Sequence, residues 1–399
     1  MKNHAHTSSL MSWPLLALAI AAFGIGTAEF IIMGLLPQVA DDLAISLPTA
    51  GYLVSGYALG VVVGGPLVGW ALRRVEVKRA LLVLMLIFIV GNLACLLASD
   101  FAWLAAARVF TAFSHASFIG TAAVLAGRIA PPGKEGQAMT LMFTGMTLAN
   151  VFGVPAGVWL GQWGGWRLAF AAVMVVGVLA LFMVWRLVPS APAVPVSSAR
   201  VGQAPIRWSS ITWALATSVM ASASMFAFFT YIVPMLLGVT GLQPQWTGFA
   251  LAIGGLGILV GCLVGGRLAD WDLARALPLC LLMLVATLLG FHWTGAWVLP
   301  ALATLALWGG LAFCVGMLLQ ALIIRLAGPA ATLVSTLNVG AFNLGNALGA
   351  WVAGRAISVG WPLSSISLLA AGLAGVTLLM ALMVLSRGGL VNQDEPVVA

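Results

Sequence analysis

From Trp13 to Leu36 the chain runs through apolar and small residues with a single charge, Glu29, and stretches of the same kind recur almost to its end. The runs are continuous over about 18–27 residues, which fits helices crossing a bilayer core of about 30 Å at ~1.5 Å per residue. Strands crossing a membrane would instead alternate over about ten residues. Backbone groups in lipid must also bond within their own segment, which again selects helices. The pattern predicts spans over 13–36, 50–72, 80–98, 101–127, 138–161, 165–188, 211–236, 246–268, 276–293, 298–324, 330–354 and 362–385. The expected fold is therefore an all-α integral membrane protein with twelve transmembrane helices. Between the sixth and seventh spans, 189–210 is rich in Pro, Ser and Ala without an apolar period and reads as a mobile linker. Residues 1–188 then form an N-terminal six-helix bundle. Residues 211–399 form a C-terminal one with a short tail.

Composition agrees. The 399 residues are 62% hydrophobic and 7% charged, against about 25% charged in soluble proteins. The net charge of +7 is topological and implies no nucleic-acid partner. Of the 17 Lys and Arg, all but Arg108, Arg167 and Arg355 fall on one side of the predicted spans. The positive-inside rule makes that side, with both termini and the linker, cytoplasmic. Cys95, Cys262, Cys280 and Cys314 lie inside apolar runs, so neither disulfides nor a metal site is expected. His4 and His6 read as part of a solvated tail, and the first span reads as a retained signal anchor. No protease, hydrolase or nucleotide-binding motif is present, so no enzyme and no cofactor is expected.

The halves are related. At an offset of 197, Pro37 falls on Pro234, Gly51 on Gly248, Gly69 on Gly266 and Arg128 on Arg325. Parallel repeats of this kind place a substrate site at their interface near mid-membrane. A carboxylate in a span costs roughly 2.5–3.5 kcal/mol or more to insert, and such groups mark proton, ion or substrate paths. Glu29 in the first span sits at a depth similar to Arg108 in the fourth, so the two can pair. His115 lies seven residues after Arg108, on the same helix face. Glu29, Arg108 and His115 thus form a candidate titratable strip for proton coupling. The plainer alternatives are a Glu29 neutralised by Arg108, an Arg108 tied to helix backbone and a packed His115.

The three residues fall on Phe226, Leu305 and Ala312 in the second half. The N-half is therefore expected to do the proton work and the C-half to offer a mainly apolar wall. Candidate cavity residues are Met33, Thr111, Asn150, Phe226, Tyr231, Gln320, Asn338 and Asn343, with Asn346 beside them. Single polar residues in spans more often join helices. Gly153-x-x-x-Gly157-x-x-x-Gly161 and Gly257-x-x-x-Gly261-x-x-x-Gly265 let backbones approach, and Pro155 weakens one turn. Arg73, Arg74, Lys78 and Arg79 follow the second span. Asp270 and Asp272 follow the eighth. These charges are candidates for a latch between the halves.

Three stretches carry a resemblance: GTAEFIIMGLLPQVADDLAIS from Gly26, AGYLVSGYALGVVVGGPL from Ala50 and GMTLANVFGVPAGVWLGQWGGWRLAF from Gly145. Along nearly its full length the chain resembles the major facilitator superfamily. Within it, the likeness is to the arabinose-efflux-permease-like branch of the drug:proton antiporters, which includes chloramphenicol-resistance and nucleoside or sugar exporters. Gly153-Val154-Pro155-Ala156-Gly157 is similar to the antiporter motif of the fifth span, which implies export. Arg108 matches the family's fourth-span Arg, implicated in proton translocation. Gly266-Arg267-Leu268-Ala269-Asp270 looks like the second copy of the loop motif GxLaD. The first copy departs from it, with Arg73 at the Asp position, so any acidic latch falls to Asp270.

The expected function is proton-driven efflux of a small organic solute by alternating access, in a bacterial inner membrane and as a monomer. Protons, solute and lipid are its partners. The competing readings are a proton-linked or facilitative importer of the same fold, and a membrane sensor.

Overall fold

The computed structural model describes residues 12–131, 133–190 and 208–387. Most of the expected linker and the tail histidines lie outside them. The described residues form thirteen α-helices and no strand. In order these are α1 (Trp13–Asp42), α2 (Leu47–Leu72), α3 (Val77–Leu96), α4 (Phe101–Ile129), α5 (Glu135–Leu148), α6 (Val154–Gly164) and α7 (Trp166–Leu187). There follow α8 (Trp208–Thr230), α9 (Ile232–Gly238), α10 (Thr247–Thr294), α11 (Val298–Ala327), α12 (Ala331–Ser358) and α13 (Ile366–Arg387).

Ten helical stretches among the described residues are long and apolar enough to cross a membrane. The difference from the twelve expected has two sources. The first is α10, whose 48 residues would span about 72 Å if straight. It is an elbow: Asp272 leaves helical geometry at φ −159°, ψ 92°. Its carboxylate accepts the Arg275 backbone N–H at 3.0 Å, as an N-cap does for a new helix. The second source is α12, 28 residues long but interrupted by Ser335, Asn338, Asn343 and Asn346.

Local chemistry sets the other ends. Ser46 accepts the Thr49 N–H at the start of α2, and Asp100 accepts the Trp103 N–H at the start of α4. This hydrogen bond holds the Asp100 carboxyl below the ordinary carboxylate range. The first span does not stop before Pro37. Instead α1 runs through it to Asp42, since membrane helices tolerate an internal Pro when neighbours compensate. Between α5 and α6 the chain makes a π turn, Ala149–Gly153. Pro155 follows at once and has no N–H to bond back into the preceding turn.

Helix α1 is buried among α2, α5, α6 and α7, whereas α8 packs against α11, α12 and α13. The two sets meet along two seams, α2 against α12 and α10 against α5, the π turn and α6. Small residues set these distances. A methyl group at Gly153 would collide with Thr27 on α1, and one at Gly157 with Ile31. Gly257, Gly261 and Gly265 hold α10 against α11 in the same way, so that stripe packs within its own set of helices.

Candidate functional site

Arg108 is 1% exposed and reaches from α4 to the backbone of α1. It donates Nη1 to the Ala28 carbonyl and Nη2 to the Glu29 carbonyl, the latter at 3.2 Å. A carbonyl already bonded within a helix keeps a second lone pair, so α1 stays intact. The guanidinium carbon also lies 4.2 Å above the centre of the Tyr57 ring. The Glu29 carboxylate does not pair with this cation. Its Oε2 lies 3.9 Å from His115 Nδ1, and the Tyr57 hydroxyl is 3.2 Å from the same nitrogen.

Of the two arrangements open to the sequence, a Glu29–Arg108 pair and an Arg108 tied to helix backbone, the geometry is the second, with Glu29 approaching His115 instead. The reason is the length of α1. Its continuation to Asp42 places Glu29 about 20 Å from that end, at ~1.5 Å per residue. His115 is similarly about 21 Å from the start of α4, whereas Arg108 is only about 10 Å from it. Arg108 ties the helices together, and Glu29 faces His115. Sequence reasoning missed Tyr57. The available signal was a phenol inside an apolar span, in a chain with only three tyrosines.

The cluster adjoins the seam. Phe30, next to Glu29, packs its ring 6.1 Å from Phe226 and 6.0 Å from Phe229 on α8, with Met33 buried one turn on. Ser55 of α2 donates to the Ala347 carbonyl of α12 at 2.9 Å. Tyr231, at the break between α8 and α9, is wholly buried. Its hydroxyl sits between Gly51 and Gly354, where any side chain would collide with it, and it has no hydrogen-bond partner. Gln162 donates to the Pro244 carbonyl at 2.5 Å and to the Thr247 hydroxyl at 2.7 Å. Trp159 meets Phe249 edge-on at 5.0 Å. The Tyr231, Gln162 and Trp159 contacts lie toward the end carrying Asp42, Asp100 and Arg167, which is poor in Lys and Arg.

The remaining candidates disperse. Thr111 bonds to the Ala107 carbonyl of its own helix and packs against Gly91 of α3. Asn150 lies in the π turn, bonded to the Met146 carbonyl at 3.3 Å, with its Oδ1 unpaired. Gln320 donates to Ser335 at 2.5 Å and accepts from Asn338 at 2.7 Å, joining α11 to α12. Asn343 bonds to its own helix at Val339, and Asn346 accepts from Ser222 of α8. Among the described residues the latch candidates are held locally: Arg79 pairs with Glu76 and Asp272 with Arg275. Arg73 folds onto Trp70, Arg74 and Asp270 are exposed, and Gly266 has open space around it.

A chain of mostly apolar membrane-length helices, with a buried carboxylate and imidazole beside the seam between two sets of them, defines a multi-pass membrane transporter. The chain belongs to the Major Facilitator Superfamily, whose family model matches residues 18–350. It is 39% identical over 373 residues to the inner membrane transport protein YdhP of Escherichia coli O157:H7, covering 94% of this chain and 96% of that one. It is 33% identical over 358 residues to a chloramphenicol resistance protein of Streptomyces lividans, covering 86% and 88%. Among solved structures, that of a D-xylose–proton symporter superposes with a TM-score of 0.76 at 12% identity, covering 94% of this chain and 96% of that one. That likeness is one of fold.

Proposed function

We propose that the protein exports a small organic solute in exchange for protons by alternating access. It works as a monomer in the inner membrane, with the proton gradient as its energy source and no cofactor. The observation that carries this reading is the buried Glu29 carboxylate facing His115 on a helix that Arg108 braces, with Phe30 touching the opposite set of helices. A proton gained or lost there changes charge one residue from the seam, where it can bias which end is open. Chloramphenicol resistance in one relative's name and the Gly153-Val154-Pro155-Ala156-Gly157 motif favour export.

We read the elbow in α10 and the polar α12 as the two further crossings that would make twelve, in two six-helix bundles on either side of residues 189–210. Both termini are cytoplasmic by the distribution of Lys and Arg. In that orientation the closed end of the seam faces the periplasm.

The test uses inverted vesicles with a preset pH gradient and a panel of amphenicols, sugars, nucleosides and hydrophobic cations. A transported compound is expected to dissipate the gradient with the wild-type protein. With Glu29→Gln the response should fall at least tenfold while the amount of folded protein stays the same. Full activity in that variant overturns the coupling role.

A further inference from the structure

We infer that Tyr57 is a positioning residue for proton exchange at Glu29: its hydroxyl fixes His115 as the Nε2–H tautomer and keeps Nδ1 away from the Glu29 carboxyl. The inference rests on the proton-coupling reading above.

The large majority of buried hydroxyls have a hydrogen-bond partner, and a phenol proton can be given only to an acceptor. Tyr57 is 2% exposed, and its oxygen lies 3.2 Å from His115 Nδ1. The guanidinium above its ring carries donors only and cannot take the phenol proton. Nδ1 is therefore the acceptor, and the ring proton sits on Nε2. The same Nδ1 is 3.9 Å from Glu29 Oε2. It has one lone pair. While Tyr57 occupies that lone pair, a proton on Glu29 is not shared with His115 and stays free to exchange.

The other ionisable groups near the cluster are Arg108 of α4 and Cys95 of α3, which interact electrostatically with Tyr57. The ionisable residues of α5 and α7, Glu135, Arg167 and Arg186, lie at helix ends. Tyr57 also sits two residues beyond Ser55, which ties α2 to α12. The group that orients His115 therefore belongs to a helix of the moving seam.

Tyr57→Phe keeps the ring beneath Arg108 and deletes the hydroxyl. His115 Nδ1 then becomes free to accept from protonated Glu29, so the shared proton is held more tightly and leaves at higher pH. Spin labels on Asp41→Cys and Gln245→Cys, across the Lys/Arg-poor end, report its opening against pH in nanodiscs without any substrate. The wild-type distance is expected to titrate, Glu29→Gln to stay flat, and Tyr57→Phe to titrate with its midpoint raised by about one pH unit, tenfold in proton concentration. A wild-type midpoint in Tyr57→Phe, with Glu29→Gln flat, overturns the inference alone. A flat wild-type trace, or one that survives Glu29→Gln, overturns the coupling reading itself. The imidazole ¹⁵N signals of the wild-type protein give a second test that needs no stable Tyr57 variant. His115, identified by the signal lost in His115→Asn, should show a bare Nδ1 and a protonated Nε2. A protonated Nδ1 overturns the inference.

Discussion

At the scale of single residues, Arg108 shows how a buried charge is satisfied without a counter-ion. Two backbone carbonyls and an aromatic face take the guanidinium, leaving only Nε without a partner. Arg108→Met removes the desolvation cost of the buried cation, and the Ala28 and Glu29 carbonyls it leaves are already bonded within α1. Arg108→Met is therefore expected to melt within a few degrees of wild type in detergent, because α1 keeps its own hydrogen bonds. Its gradient-driven transport should fall at least tenfold, since nothing then holds Tyr57 and α1 in register. Thermal unfolding and vesicle flux measured on one preparation check both halves; a variant that transports normally makes Arg108 a dispensable tie. The residue types at this site were legible in the sequence, because three titratable groups in apolar spans stand out against lipid. Their pairing was not. It depends on how far α1 continues past Pro37 and on a phenol that carries no charge, and neither leaves a mark in the hydropathy pattern.

At the scale of helices, glycine spacing carried more information than it first offered. Gly153, Gly157 and Gly161 each face a residue of α1 four positions on from the last: Thr27, Ile31 and Leu35. The antiporter-like motif is thus a rail against the helix that bears Glu29. Thr27 is held on that rail by its hydrogen bond to the Phe23 carbonyl at 2.7 Å. Gly153→Ala would drive a methyl group into the Thr27 hydroxyl, and such overpacking costs about 1–3 kcal/mol. Thr27→Ala removes the obstruction. The double variant is expected to recover at least half of the loss, a coupling that a double-mutant cycle on chemical or thermal unfolding measures. Strict additivity would show that α5 and α6 shift to relieve the clash. The π turn before Pro155 and the elbow at Asp272 were not visible in the sequence as such. A Pro marks where a hydrogen bond is lost, but not whether the helix bulges or continues: α1 runs on through Pro37, a π turn precedes Pro155, and the elbow of α10 falls at Asp272 while the helix continues through Pro278.

At the scale of the whole molecule, the closed end of the seam carries its own bias toward opening. Tyr231 fills the slot between Gly51 and Gly354 with its hydroxyl wholly buried and without a partner. A buried unsatisfied hydroxyl costs about 1–3 kcal/mol, and hydration removes that cost when the two sets of helices part. The aromatic and glutamine contacts nearby hold the end shut, and the desolvated phenol keeps the hold shallow. Tyr231→Phe retains the ring that fills the slot and deletes the penalty, so it should stabilise the closed end by a similar amount. Thr247→Cys supplies the probe, since that position is 2% exposed when the seam is closed. An impermeant maleimide added on the periplasmic side can reach it only in the open state. Labelling is expected to slow at least fivefold, about 1 kcal/mol, when Tyr231→Phe is combined with Thr247→Cys. Under the proposed alternating access, transport should slow with it. Faster labelling would show that the hydroxyl acts as a lock in the closed state, bonded there to water, and would reverse the sign of its role.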